Sequence, residues 1–210
     1  MTTQSFCLNN FLFPVLIFIS AIILSSCEQT YVPKPKGYFR IDLPPHEYIK
    51  LNEGHPYRFE LSKHAQVKKH ISSIAEEHWI DVFYPEYRAT VQLTYKPLHE
   101  KKIPADKKKF LNELVNDSYK LTSKHQVKAY AIEETIIKTP SGKAVTVFEL
   151  EGDVPSQFQF YVTDTTKHFL RGALYFRTST KNDSLAPIID YIKVDIMHML
   201  NSLEWKHDAK

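Results

Sequence analysis

Apolar and polar positions follow different periods in different parts of this chain, and each period predicts an element. Residues 11–24 show no alternation: Phe11-Leu-Phe-Pro-Val-Leu-Ile-Phe-Ile-Ser-Ala-Ile-Ile-Leu24 is an apolar run that ends in Ser25-Ser26-Cys27 and turns at once to polar residues. From Tyr57 the period is two. Tyr57, Phe59 and Leu61 share one face of a first strand over 57–61. Ile80, Val82 and Tyr84, then Val91, Leu93 and Tyr95, predict a β-hairpin turned by Pro85-Glu-Tyr-Arg88. A helical period follows, with Asp106 as N-cap behind Pro104 and Phe110, Leu111, Leu114, Val115 and Tyr119 as its apolar positions. Four more strands are predicted at about 127–137, 143–151, 157–163 and 168–177, separated by Pro140-Ser-Gly142, Gly152-Asp-Val-Pro155 and Asp164-Thr-Thr-Lys167. These breaks are hairpin length, which implies an antiparallel meander. Ser184 and Pro187 then open a second helix, whose stripe is Leu185, Ile188, Ile189, Ile192, Ile196, Met199, Leu200 and Leu203.

Strands, helix, four strands and helix make an α+β domain, an antiparallel β-sheet covered by helices. The order resembles the Mog1/PsbP-like layout, where a C-terminal helix also packs across the sheet; a fold-level likeness carries no function. Two stretches offer no periodic signal. Residues 40–56, with Pro44-Pro45 and Asn52-Glu-Gly54-His-Pro56, read as a turn-rich approach to the domain. Lys63 to His70 reads as a basic, histidine-bearing connection.

The apolar run is short and poorly flanked for a transmembrane span but suits the hydrophobic core of a secretory signal peptide. Leu24-Ser25-Ser26-Cys27 also resembles the bacterial lipobox, in which small residues admit the peptidase before an acylated cysteine. The competing readings are an ordinary signal peptide and an uncleaved anchor. The lipobox divides the chain into a lipoprotein signal peptide at 1–26, a lipidated Cys27 with a Pro-rich juxtamembrane segment to residue 56, a globular domain at 57–205 and a tail at 206–210. Each acyl methylene contributes about 0.8 kcal/mol, so one palmitate-like chain binds marginally and two or three on one cysteine anchor firmly.

After the lipobox and a short gap comes Tyr31-Val-Pro-Lys-Pro-Lys-Gly-Tyr-Phe-Arg-Ile-Asp-Leu-Pro44, and later an aromatic strand at Tyr57-Arg-Phe-Glu60. In these motifs, and down to Leu200-Asn-Ser-Leu-Glu-Trp205, the chain resembles the gliding-motility lipoprotein family called GldD, found in Bacteroidetes. The resemblance implies an envelope lipoprotein needed for gliding and for the associated type IX secretion system, with other envelope proteins of that machinery as partners and no known catalysis.

Composition narrows the alternatives. The formal charge of +3, from 27 basic and 24 acidic residues, is too mild to argue for nucleic acid. Of the two cysteines, Cys7 would leave with the signal peptide and Cys27 would carry lipid, so none remains for a disulfide, a zinc thiolate or a nucleophile. Hydrophobic content of 43% with 13% aromatics is enough for a core that relies on packing alone.

No catalytic, cofactor or metal site is predicted. The first-half histidines, His46, His55, His64, His70 and His78, show neither HExxH nor His-x-His spacing, and read as surface or half-buried side chains. The chain has no G-x-S-x-G elbow and no S-x-x-K, and its five glycines are scattered singly, which leaves no phosphate-cradling loop. Asp42, Glu76, Glu77 and Asp81 read as structural or solvated. Lys101, Lys102, Lys107, Lys108 and Lys109 form a basic cluster whose lysines oppose the helix dipole; it reads as a solubilising face, with anionic headgroups or an acidic partner as the functional alternative.

The candidate functional segment is therefore the one beside the anchor: Tyr31, Pro33, Pro35, Gly37, Tyr38, Arg40 and Pro44. It either braces the domain by covering a sheet edge or docks a partner, and the two roles are compatible. The expected function is a non-enzymatic, lipid-anchored accessory protein of the cell envelope, facing the periplasm from the inner or the outer membrane. The alternative is a tethered domain that binds a small ligand or envelope polymer in a pocket between sheet and helices.

Overall fold

The computed structural model describes residues 41–51, 54–98, 106–177 and 182–206. Among them run β1 (Tyr48–Lys50), β2 (Tyr57–Arg58), β3 (Glu60–Ser62), β4 (Gln66–Lys69), β5 (Ile80–Tyr84), β6 (Ala89–Pro97), α1 (Lys107–Ser123), β7 (Ala129–Lys138), β8 (Ala144–Gly152), β9 (Phe158–Thr163), β10 (His168–Phe176), α2 (Asn182–Asn201) and β11 (Glu204–Trp205). β4 to β10 form one antiparallel sheet in the order β4-β5-β6-β10-β9-β8-β7. The predicted hairpin is β5-β6 and the predicted meander is β7 to β10, which then closes on β6. This is the expected α+β architecture.

Alternation places one side of every central strand in the core. Ile80, Val82, Tyr84, Val91, Leu93, Leu170, Leu174, Phe158, Phe160, Val162, Val145 and Val147 lie on that side, and the stripe of α2 packs over them. Fully burying such a side chain contributes about 1.5–3 kcal/mol. Gly172 faces Phe160, and a Cβ there would fall 2.1 Å from its ring, so the β9-β10 contact requires glycine. The opposite side of the sheet has a smaller cluster, Phe148, Leu150 and Val154, with Ile132 and Tyr161 against it. Tyr119 of α1 meets Phe148 and Tyr161 edge to face there, whereas the residues that α1 fully buries are Ser118 and Thr122. The predicted apolar positions Phe110, Leu111, Leu114 and Val115 are only half-buried.

The capping and turn signals act as their chemistry requires. Asp106 accepts from the backbone N–H of Lys109 at 3.0 Å. Asp164 accepts three backbone N–H groups, from Thr166, Lys167 and His168, at 2.8–3.0 Å and fixes the β9-β10 turn.

Four sequence readings are corrected. The strand expected over 57–61 is two strands: β2 pairs with β11 and β3 pairs with β1, with buried Phe59 between them, so a single stretch is claimed by two partners. The turn-rich approach contains β1 and the buried Leu51, and Ile41 and Leu43 pack against the main core. The basic connection contains β4, which pairs with β5 at the edge of the sheet. The last helix begins at Asn182, not at Ser184, so Pro187 stands inside it, where its missing N–H forgoes a backbone bond.

Candidate functional site

The chemistry-bearing groups gather where residues 41–48 meet α2. Asp195 belongs to the face of α2 that packs into the core and is 2% exposed. Its Oδ1 lies 2.7 Å from His46 Nδ1, and its Oδ2 accepts the Tyr84 hydroxyl at 3.1 Å. An ionised carboxylate only accepts, so Nδ1 carries the proton in this pair. Burial first, and the Asp195 carboxylate second, push the Tyr48 phenol up to about 12. The same two causes drive Tyr84 far above the ordinary phenol range and raise Tyr191. The phenols thus stay neutral around a buried anion and can donate to it.

Stacked rings extend the cluster. His46 lies on Tyr191 with centroids 4.4 Å apart and planes at 16°, and Tyr48 lies on His198 at 3.5 Å and 9°. His198 Nε2 is 2.8 Å from Glu60 Oε2, so α2 is tied to β3 as well. This arrangement holds the approach segment to the last helix. Among the described contacts the Asp195 carboxylate is bonded by His46 and by Tyr84.

Of the residues singled out in the sequence, Cys27, Tyr31, Pro33, Pro35, Gly37, Tyr38 and Arg40 lie outside the described residues. Pro44 is described and half-buried, directly after Leu43, which packs on the core. Lys101 and Lys102 are also outside; Lys107, Lys108 and Lys109 are exposed in the first turn of α1. Sequence reasoning missed Asp195, although an acid flanked by Ile192 and Ile196 in an apolar stripe was a usable signal.

The remaining histidines are integrated into the fold. His70 Nδ1 lies 2.7 Å from Asp81 Oδ1. His168 is buried, 2.7 Å from the Tyr95 hydroxyl and stacked on Trp205. His55 and His78 face each other through Nδ1 atoms 3.2 Å apart. Among the described residues no three histidines or carboxylates converge as a metal site. Glu76 pairs with Lys96, and Glu77 is 4.0 Å from His78.

Residues 28–205 match the family model of the gliding motility lipoprotein GldD. The chain belongs to that family. GldD membership makes it a lipoprotein of gliding motility, held at a membrane of the cell envelope. No curated protein matches. Among solved structures, the solution structure of cyanobacterial PsbP (CyanoP) from Synechocystis sp. PCC 6803 is similar with a TM-score of 0.43 at 8% identity, over 80% of this chain and 97% of that one. A likeness of that size carries no argument about the GldD chain's function.

Proposed function

We propose that this GldD lipoprotein is an accessory component of the gliding and type IX secretion machinery, anchored by acyl chains on Cys27 and facing the periplasm. It works by docking its domain on other envelope proteins and turns over no substrate. The observation that carries the docking reading is the outer edge of β7. This ten-residue strand ends the large sheet, and among the described residues nothing pairs with its free side. Tyr130 is 77% exposed and Ile136 69% exposed along it. Glu133 and Glu134 and an irregular register at Ala129/Ala131 blunt this edge in part, but it contains no proline and lysine sits only at its last position, so its length suits addition of a partner strand. For the segment from Tyr31 to Pro44, the packing of Ile41 and Leu43 and the bond of His46 support bracing at its inner end; Tyr38 and Arg40 are left as its docking candidates.

The ligand-binding alternative has an observation of its own. A cleft of about 630 Å³ is lined by His55, Lys69, Glu76, His78 and Trp79, among others. It opens to solvent at the sheet edge and does not lie between sheet and helices, so the β7 edge is the better-supported surface.

The test replaces Tyr130 and Ile136 with Asp in the native lipoprotein. The double variant should stay membrane-bound at normal abundance, lose capture of envelope partners, and reproduce the spreading and secretion defects of a gene deletion. Full spreading and secretion by a normally accumulating double variant would exclude docking through β7.

A further inference from the structure

Arg171 is a charged residue in the middle of β10, on the side of the sheet that faces α1. Its partners are neutral. One guanidinium nitrogen donates to Gln159 Oε1 at 2.7 Å, and the Tyr175 hydroxyl is its other side-chain hydrogen-bond partner. Burial lowers the Arg171 pKa, as expected for a cation without a nearby anion. His125, just beyond α1, is lowered as well, by burial first and by Arg171 second.

Gln159 adds the second, independent observation. It is 1% exposed, and its carbonyl accepts from Arg171, with Thr122 Oγ1 a further 3.3 Å neighbour whose one proton goes to the Ser118 carbonyl at 3.0 Å. The guanidinium fixes the amide orientation, because a flip would set the Nε2 hydrogens against its N–H. The amide Nε2 is then a buried donor with no partner. A buried orphan donor costs about 1–3 kcal/mol, and native folds leave few of them.

Capping of α1 does not explain the arginine. The carbonyls of Lys120, Thr122 and Ser123 already accept backbone N–H groups from Lys124, His125 and Gln126. What is left is one buried amide N–H without an acceptor, next to a half-buried guanidinium whose side-chain partners are both neutral, with half-buried Thr94 on the adjacent strand. A planar two-oxygen acceptor suits such a set of donors, since a guanidinium binds a carboxylate through parallel N–H bonds.

We propose that Arg171, with the Gln159 amide, is a binding site for a carboxylate, either a free organic acid or an acidic side chain presented by another protein. The site lies apart from the free edge of β7 and does not depend on docking there.

The test uses the full-length protein in neutral detergent. Sodium acetate and a capped tri-glutamate peptide are titrated separately, with sodium chloride at matched ionic strength as control. At least one of them should raise the Tm saturably beyond the chloride control and shift the Arg171 Nε resonance along the same curve. Saturation by acetate identifies a free acid as sufficient, and saturation by the peptide alone identifies a chain-borne carboxylate. Arg171→Lys, which keeps the charge but loses the fork, should weaken the response about tenfold or more. If that variant does not fold, the wild-type Arg171 resonance decides. An unmoved resonance with both probes, or an equal response from folded Arg171→Lys, overturns the site.

Discussion

His46 Nδ1 lies 2.7 Å from Asp195 Oδ1, a bond that spans 149 positions of the sequence. It joins the segment entering the domain to the helix that completes it, and a neutral phenol, Tyr84, holds the other oxygen. Asp195 is buried whereas His46 is exposed, so removing the carboxylate leaves the Tyr84 hydroxyl desolvated and unmatched while His46 can turn to water.

Asp195→Ala should therefore cost about 1–3 kcal/mol, and Asp195→Asn, which keeps an acceptor for Tyr84, should cost less. Denaturant midpoints at unchanged m-value measure both. Equal stability of Asp195→Ala and wild type would remove the clamp from this account.

Alkaline pH should weaken the fold through the same cluster. Tyr48 rises from 10.0 to about 12 in the folded protein. A raised pKa means that the unfolded chain loses its proton first, so this contribution is complete below about pH 10 and is lost as pH climbs through about 12. Tyr84 is raised further and extends the loss upward. Tm followed against pH, with phenolate absorbance as the second signal, should fall across that window, and Tyr84→Phe should flatten its upper part.

Gly172→Ala should destabilise by about 1–3 kcal/mol, because its Cβ would collide with the Phe160 ring. Phe160→Leu in the same chain should recover part of that loss even though it is itself a core truncation. A double-mutant cycle on chemical unfolding measures the recovery, and strict additivity would show that the two residues do not meet.

Cys27→Ala should abolish incorporation of labelled fatty acid and release the protein from the membrane fraction. Equal labelling of variant and wild type would place the lipid elsewhere.

Legibility in the sequence followed burial pattern. The β5-β6 hairpin and strands β8 to β10 were readable because one face of each is apolar, β7 from the breaks that bound it, and α2 because its stripe is long. β1 and β4 were not, since Ile49, Lys50, Gln66, Lys68 and Lys69 are exposed and carry no alternation. The break at Phe59 depends on which strand each half pairs with, a choice made by residues far away in the chain. Asp195 was hidden because a carboxylate in a helix is ordinarily a solvent-facing residue, and only the arrival of His46 and Tyr84 makes its burial tolerable. The Arg171 site needed the orphan amide of Gln159, which no spacing rule exposes.

The pairing of β11 with β2, Trp205 against Tyr57, also sets a timetable. A chain crossing a membrane amino end first delivers its anchor early and its final strand last. Until residues 185–205 arrive, the apolar side of the large sheet has no helix over it and Tyr57 has no neighbour strand. Contacts of such long sequence separation form slowly. With the Cys27 anchor proposed above, the nascent chain would be tethered before it is folded, and would wait at the membrane with its sticky surface open, at the stage when a holding chaperone would have most to do.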